Sequence, residues 1–188
     1  WDTSLVTTMT GAFQMCRALR YADLSHLDMG AVNNVNSLFN MCVSLIDAKL
    51  PPLPSVTNCT SMFSSCSSLQ SVTLPPLPSV TNCTSMFSRC SSLKSIYIDM
   101  PNCKNFTEFA YKCSALHTLE IVDVRKATVF ANSFNNCSSL QNVTCVEELP
   151  KCAISFSSSS KLTLDSVTNI ITHLPDLSGE SSKTLTLH

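Results

Sequence analysis

Two stretches of this chain, LPPLPSVTNCTSMFSSCSSL (50–69) and LPPLPSVTNCTSMFSRCSSL (74–93), repeat the same 20 residues at an offset of 24 positions. They differ only where Ser65 in the first copy corresponds to Arg89 in the second. Each copy carries two cysteines seven positions apart. These cysteines either form a doubled metal or redox site or belong to the repeating framework of the fold, and the rest of the sequence bears on that choice.

A shorter motif, F-x-x-C-x-x-L, extends the repeat over most of the chain. The complete copies are Phe13-Cys16-Leu19, Phe39-Cys42-Leu45, Phe63-Cys66-Leu69, Phe87-Cys90-Leu93 and Phe134-Cys137-Leu140. Two degenerate copies begin at Ala110, where Phe109 supplies the bulk, and at Phe156, where Ser159 replaces the cysteine. Successive copies begin 22 to 26 residues apart, a period typical of solenoids built from stacked coils. We therefore predict seven coils that end at about Leu162.

Each predicted coil contains one short helical turn and one short strand. Apolar residues recur seven and four positions before each Phe, as Val56 and Cys59 do before Phe63. This spacing places side chains on one face of a helix. After each Leu the pattern becomes L-x-x-Φ-x-Φ, and its last two apolar positions, such as Leu119 and Ile121, share one face of a strand. The predicted fold class is an α/β solenoid, with a parallel sheet on one face and short helical turns on the other.

The strand pattern L-x-x-Φ-x-Φ resembles that of leucine-rich repeats. The opening WDTS (1–4), followed by Val6, Met9 and Phe13, is similar to the first repeat of BspA-like leucine-rich-repeat surface proteins and related bacterial lipoprotein repeats. The resemblance covers residues 1–162, although later coils use LPPLP in place of WDTS. It implies a right-handed leucine-rich-repeat stack of about seven coils. It also implies an extracellular or cell-surface bacterial protein whose repeats mediate adhesion or protein interaction.

Beyond Leu162 the repeat register ends, and we predict a capping segment over residues 163–188 of the same domain. The stretch LTLDSVTNIITHLPDL (162–177) predicts a helix that Thr163 or Asp165 begins and Pro175 ends. Its apolar stripe consists of Val167, Ile170, Ile171 and Leu174. The final KTLTL (183–187) alternates and predicts a strand. We expect further sequence to follow His188.

The 11 cysteines fit the repeating framework better than a metal or redox site. Cys59 and Cys66 would lie about 10 Å apart along the predicted helical face, whereas a disulfide needs Cα atoms about 4.4–6.8 Å apart. Equivalent cysteines such as Cys66 and Cys90 would stack about 8–10 Å apart in neighbouring coils. The close ligand pairs and convergent histidines of a zinc site do not occur. We expect unbridged cysteines in the core, with no metal and no cofactor.

Composition argues against several functional classes. The net charge is −1 and 13% of the residues are charged, so we expect no nucleic-acid partner. No run of about eighteen apolar residues occurs, so we expect no membrane insertion within this sequence. The chain has 3 glycines, too few for a phosphate-binding loop, and lacks a G-x-S-x-G motif, so we expect no enzymatic activity. The N-x-S/T sequons look like by-products of the Asn/Ser/Thr-rich turn.

The candidate binding residues lie at outward strand positions, which the scaffold leaves free to vary. These outward pairs are Tyr21/Asp23, Asp47/Lys49, Ser71/Thr73, Ser95/Tyr97, Thr118/Glu120 and Asn142/Thr144. Six strands spaced by about 4.8 Å would form a ladder roughly 25 Å long. The predicted binding set takes the aromatic and charged members of this face and two adjacent residues: Tyr21, Asp23, Asp47, Lys49, Lys94, Tyr97, His117 and Glu120.

Two interpretations of this face remain open. It either binds a protein or glycan partner, in a molecule that we expect to be a monomer, or it is a plain solvated surface. In the second case the chain is a structural spacer within a larger surface protein or phage-like structural protein. The small side chains of Ser71, Thr73 and Ser95 favour the spacer, whereas the aromatic and charged residues on either side favour binding.

Overall fold

The structure is a computed structural model that describes residues 2–175 and 184–187. Trp1, residues 176–183 and His188 lie outside the described residues. The first residue of the opening motif, the start of the KTLTL stretch and the expectation of sequence beyond His188 therefore fall outside it as well. The described elements are β1 (Tyr21–Asp23), β2 (Asp47–Lys49), β3 (Ser95–Asp99), β4 (Thr118–Asp123), β5 (Asn142–Cys145), β6 (Ile154–Phe156), α1 (Leu164–Thr172) and β7 (Leu185–Leu187).

The chain winds as a parallel-sheet solenoid. Residues one coil apart form a column of isolated parallel bridges, which consists of Thr8, Asn34, Asn58, Asn82, Asn105 and Val129. The 5 bridges between these six residues mark five turns within residues 2–175. The predicted parallel stack is confirmed, whereas the predicted number of seven coils is not.

Asparagine suits this column because its side-chain oxygen can close a tight turn. The Oδ1 atoms of Asn58, Asn82 and Asn105 each accept the backbone N–H two residues later, at 2.9–3.1 Å. The same three asparagines belong to N-x-S/T sequons. Their role in the turn explains why the sequon recurs with the repeat.

The side opposite the sheet does not contain the predicted helical turns, and α1 is the one α-helix in the described residues. This side is a run of consecutive tight turns. Positive φ occurs two residues before and two residues after most of the repeated Phe residues, as at Ser61 (54°) and Ser65 (63°) on either side of Phe63. Such residues interrupt a right-handed helix. The N–H groups of Ser61 and Phe63 therefore donate to the carbonyls of Thr84 and Met86 in the next coil, at 2.8 and 2.9 Å. The turns bury every third or fourth residue, which is why their pattern resembles a helix.

A column of phenylalanine rings fills the core, as the sequence predicts. The predicted rings are buried or, at the first position, half-buried: Phe13, Phe39, Phe63, Phe87, Phe134 and Phe156. Centroids of successive rings from Phe13 to Phe87 lie 5.4–5.5 Å apart with nearly parallel planes. The ring orientation changes after Phe87, where the plane of the Phe109 ring lies at 86° to that of Phe87 with centroids 5.4 Å apart. Phe109 thus supplies the bulk of its degenerate repeat.

The 11 cysteines are unbridged, and most of them lie in the core, where the sequence predicts them. Cys16 is exposed and Cys152 is half-buried. Burial in apolar surroundings raises the pKa of Cys59, Cys66 and Cys137 to about 12, so these thiols stay protonated near neutral pH. Within the described residues, no three His, Cys, Asp or Glu side chains are placed to hold a metal ion. The buried cysteines are packing groups of the repeat.

The parallel sheet is split into separate parts. Strands β1 and β2 pair with each other, β3, β4 and β5 form a three-stranded sheet, and β6 pairs with β7. The segment 70–77, which should supply the strand between β2 and β3, makes only one bridge, from Thr73 to Lys49. The predicted continuous ladder of six strands is therefore wrong. Pro75 and Pro76 have no N–H to donate to a ladder and therefore limit how far a strand in this segment can extend.

Helix α1 covers the open edge of β5. Its N-cap is Thr163, one of the two predicted, whose hydroxyl accepts the N–H of Ser166 at 3.2 Å. The Ser166 hydroxyl accepts the N–H of Val143 at 2.9 Å, and the Asn169 side chain accepts the N–H of Cys145. These polar side chains satisfy backbone groups that a further strand would otherwise pair.

The predicted apolar stripe of α1 is only partly right. Ile170 is buried and Val167 is half-buried, but Ile171 and Leu174 are exposed. The inner face of the helix is shared with the polar side chains that cap β5. The predicted final strand is confirmed at Leu185–Leu187, which pairs in parallel with β6. The division into repeat residues 1–162 and capping residues 163–188 stays a prediction.

Candidate binding cleft on the sheet face

The alternation of the strands turns the predicted outward residues to solvent. In β3 the side chains of Ser95, Tyr97 and Asp99 are exposed, and those of Ile96 and Ile98 are buried. Strands β4 and β5 alternate in the same way, although Thr118 is half-buried. The sheet face therefore presents the side chains that the sequence singled out.

Four predicted binding residues form a first patch on β1 and β2. The register places Tyr21 opposite Asp47 and Asp23 opposite Lys49. The Lys49 Nζ atom lies 4.0 Å from Asp23 Oδ2, and both side chains are more than half exposed. Solvent weakens an ion pair of this kind, so its main effect is to keep opposite charges side by side.

Two neighbours that the sequence did not single out complete this first patch. The guanidinium of Arg20 lies 5.7 Å from the centre of the Tyr21 ring, within the range of a cation–π contact. The side-chain hydroxyl and backbone N–H of Ser25 donate to the Asp23 carboxylate and lower its pKa. The carboxylate of Asp23 is therefore held in its charged form.

The other four predicted residues form a second patch on β3 and β4. Tyr97 lies opposite Glu120 in the register, and 55% of its surface is exposed. Lys94 and His117 immediately precede the two strands, and the His117 N–H donates to the Lys94 carbonyl at 2.8 Å. The segment 70–77 lies between this patch and the first. The predicted binding set thus divides into two patches on one face.

A cleft opens where segment 70–77 and β3 run without pairing. At one end the Lys94 N–H donates to the Gln70 carbonyl at 3.3 Å, and at the other the Asn102 side chain donates to the Pro78 carbonyl at 2.7 Å. Between these two contacts, no backbone hydrogen bond joins the two segments, both of which lie in the described part of the chain. The cleft has a volume of about 350 Å³. Its lining consists of Val72, Thr73, Leu74, Phe87, Ile96 and Tyr97.

The sequence identified Tyr97 but missed the rest of this cleft. Val72, Leu74 and Ile96 occupy inward strand positions, so the sequence places them in a closed core. In the structure Val72 and Leu74 are only half-buried. The sequence did contain a signal. LPPLP occurs after the strand position in two successive coils, at 50–54 and 74–78, and does not recur in later coils. Proline inside a strand pattern predicts an edge that does not pair.

The cleft is suited to recognition rather than to acid–base or nucleophilic chemistry. Its lining is largely apolar and holds only two hydroxyl groups, those of Thr73 and Tyr97. Lys94 and Glu120 stand beside it and are exposed. An apolar recess with a polar surround resembles the centre and rim of a protein interface.

None of the helices in residues 2–175 and 184–187 is long and apolar enough to cross a membrane.

Comparison with known proteins gives two family matches. The profile described as "BspA type Leucine rich repeat region", here in 6 copies, matches residues 63–178. The profile described as "Mycoplasma protein of unknown function, DUF285" matches residues 1–76. No curated protein sequence matches the chain.

Two solved structures of bacterial leucine-rich repeat proteins are similar to the chain. The T. pallidum leucine-rich repeat protein is 20% identical, with a TM-score of 0.60 over 87% of this chain and 74% of that one. A leucine-rich repeat protein from Bacteroides ovatus is 19% identical, with a TM-score of 0.30 over 82% of this chain and 68% of that one. The first likeness supports the leucine-rich-repeat fold.

Leucine-rich-repeat proteins are typically non-enzymatic scaffolds for protein interaction. The BspA-type profile covers more than half of the 188 residues, and the residues that it matches include β3 to β6, helix α1 and the phenylalanine column from Phe63 onwards. The chain therefore belongs to the BspA-type leucine-rich-repeat family.

Proposed function

We propose that the chain is an adhesion module that works at the cell surface or outside the cell and binds a protein partner through its sheet face. The cleft between segment 70–77 and β3 carries the proposal, because it places an exposed tyrosine beside an apolar recess in the middle of that face. The surface location rests on the family, whose members are associated with bacterial surface proteins.

The residues around the cleft match what protein interfaces use for affinity. Tyrosine is enriched among the residues that dominate binding energy, especially beside well-packed pockets. Tyr97 stands at the cleft with more than half of its surface free to contact a partner. The volume of about 350 Å³ is enough for one large apolar side chain of that partner. Lys94 and Glu120 add one charge of each sign at the rim, which favours a defined orientation.

The first test is the substitution Tyr97→Ala. Candidate partners are found by screening the chain against purified extracellular-matrix proteins, and affinity is then measured by surface plasmon resonance. We expect Tyr97→Ala to weaken binding by about fivefold or more, which corresponds to about 1 kcal/mol. Its unfolding free energy should stay within about 0.5 kcal/mol of the parent. Tyr111→Ala, which removes a ring from the turn side, is the matched control and should bind as the parent does.

A second variant tests the cleft itself. Thr73→Arg places a large side chain in the opening, whereas Thr144→Arg adds the same side chain to the exposed face of β5. We expect only Thr73→Arg to abolish binding. Unchanged affinity in both Tyr97→Ala and Thr73→Arg would remove the cleft from consideration. A screen without any partner would favour the structural spacer, and antibody labelling of intact cells would test the surface location.

A further inference from the structure

The single difference between the two 20-residue copies lies on the turn side of the solenoid. Ser65 and Arg89 both stand two residues after the repeated Phe, and both have φ near 63°. The same backbone position recurs along the solenoid and is taken by Met15, Met41, Ser65, Arg89, Lys112, Asn136 and Ser158. Only two neighbouring members of this column, Arg89 and Lys112, are cationic. The substitution from serine to arginine therefore changes the surface and leaves the local fold unchanged.

Arg89 and Lys112 line one groove with a volume of about 490 Å³. The remaining lining side chains are serines and one asparagine, and none is acidic. Within the described part of the chain, neither groove cation forms an ion pair with a carboxylate. The Lys112 ammonium lies 5.1 Å from the centre of the Tyr111 ring, within the range of a cation–π contact.

The groove continues past the two cations with unused hydrogen-bonding groups. The side chains of Asn136, Ser138 and Ser158 line it, are exposed and have no hydrogen-bond partner among the described residues. Amide and hydroxyl groups of this kind can bind the hydroxyls of a neutral sugar. The groove therefore combines a cationic end with a neutral polar end.

Stacking sets the distance between the two cations. Equivalent positions in neighbouring coils lie about 4.8 Å apart. The two cationic side chains therefore extend from the same side of the solenoid and can both contact one oxyanion. Arginine binds such a group through two parallel N–H donors, and lysine adds a point charge. The net charge of −1 gives no general attraction for polyanions, so attraction for an anion here has to come from local cations such as these two.

We infer that this groove binds a sulfated saccharide, with the sulfate between Arg89 and Lys112 and the sugar along Asn136, Ser138 and Ser158. The site lies on the turn side and is separate from the cleft on the sheet face. A phosphate ester would satisfy the two cations equally well, but the neutral polar end of the groove favours a saccharide as the carrier.

The duplicated sequence supplies variants that retain the fold. Arg89→Ser recreates the residue found at Ser65, and Ser65→Arg extends the cationic column by one coil. Lys104→Ser removes one exposed positive charge outside the groove. The probes are dextran sulfate, neutral dextran and inorganic polyphosphate, and binding is measured by calorimetry at about physiological ionic strength.

The parent should bind dextran sulfate and not neutral dextran. Arg89→Ser should weaken binding by about fivefold or more, Ser65→Arg should strengthen it, and Lys104→Ser and Tyr97→Ala should leave it unchanged. Equal weakening by Arg89→Ser and Lys104→Ser would overturn the proposal, because the attraction would then be unspecific. Tighter binding of polyphosphate than of dextran sulfate would overturn the assignment to a saccharide.

Discussion

The repeated cysteine has a defined role at the scale of single residues. The Sγ atom of Cys66 donates to the carbonyl of Phe39 in the preceding coil at 3.0 Å, and Cys90 repeats the contact with Phe63 at 3.1 Å. The same contact recurs from coil to coil, at Cys42, Cys66, Cys90, Cys113 and Cys137. Cysteine fits this position because it is small and apolar and still offers a weak donor. The doubled cysteines of the sequence are therefore part of the framework of the fold.

Stability should fall steeply at alkaline pH because of these thiols. Burial raises the pKa of Cys59, Cys66 and Cys137 to about 12, whereas an unfolded cysteine titrates near about 8.5. Since the folded pKa is the higher one, the stabilisation is complete below about pH 8.5 and is lost as the pH rises towards 12. Each pH unit in that window should remove about 1.4 kcal/mol of unfolding free energy per buried thiol. Urea titrations at about pH 8, 9 and 10 would measure the slope.

The slope identifies the groups that cause it. Cys66→Ala removes one buried thiol, so its free energy of unfolding should decline less with pH than that of the parent. Ser67→Ala, a matched control next to Cys66, removes no thiol and should keep the parent slope. A parent protein whose unfolding free energy is constant between about pH 8 and 10 would show that the cysteines are not buried as the structure places them.

Strands were more predictable than turns at the scale of elements. The pattern L-x-x-Φ-x-Φ locates β1 to β5 and their exposed faces, because alternation of two has few structural explanations. The spacing of three, four and seven fits both a helix and a run of tight turns. Only the positive φ at positions such as Ser61 and Ser65, which the sequence does not reveal, separates the two. Non-glycine residues seldom adopt this conformation, so the sequence favoured the helix.

The cleft escaped prediction for a different reason. Segment 70–77 and β3 do not pair, and the two neighbouring coils differ at the point where their strands end. LPPLP ends the segment with Pro75 and Pro76, whereas β3 continues to Asp99. Each pattern was visible in the sequence, but their mismatch appears only once the coils are stacked. The groove of Arg89 and Lys112 was missed for a similar reason, since these two residues stand 23 positions apart in the sequence and become neighbours only in the stacked coils.

Helix α1 should owe much of its attachment to a serine. The Ser166 hydroxyl accepts the N–H of Val143 and donates to the Gln141 carbonyl at 2.9 Å, and it is buried. Ser166→Ala leaves both backbone groups without that partner, so we expect a loss of about 1–3 kcal/mol in unfolding free energy. Thr168→Ala, on the exposed side of the same helix, should cost far less. Equal effects of the two substitutions, measured by urea unfolding, would contradict this role for Ser166.

At the scale of the whole molecule, each coil contacts chiefly the coils before and after it. A solenoid of this kind has stability that is close to a sum of coil energies and nearest-neighbour contacts. The phenylalanine column supplies a large part of those contacts. Phe63 stacks on both sides, with centroids 5.4 Å from Phe39 and 5.5 Å from Phe87, whereas among the described residues the half-buried Phe13 stacks only on Phe39.

Removal of a central ring should therefore cost more than removal of a terminal one. Phe63→Ala deletes a fully buried ring and leaves a cavity between two coils, so we expect a loss of about 3–5 kcal/mol in unfolding free energy. Phe13→Ala should cost clearly less, because one side of its ring has no neighbouring coil in the described residues. Hydrogen exchange should show that Phe63→Ala lowers protection first in the coils of Phe39 and Phe87, and only later at β5 and α1. Similar costs for the two substitutions, or a uniform loss of protection along the chain, would mean that the coils do not act as stacked neighbours.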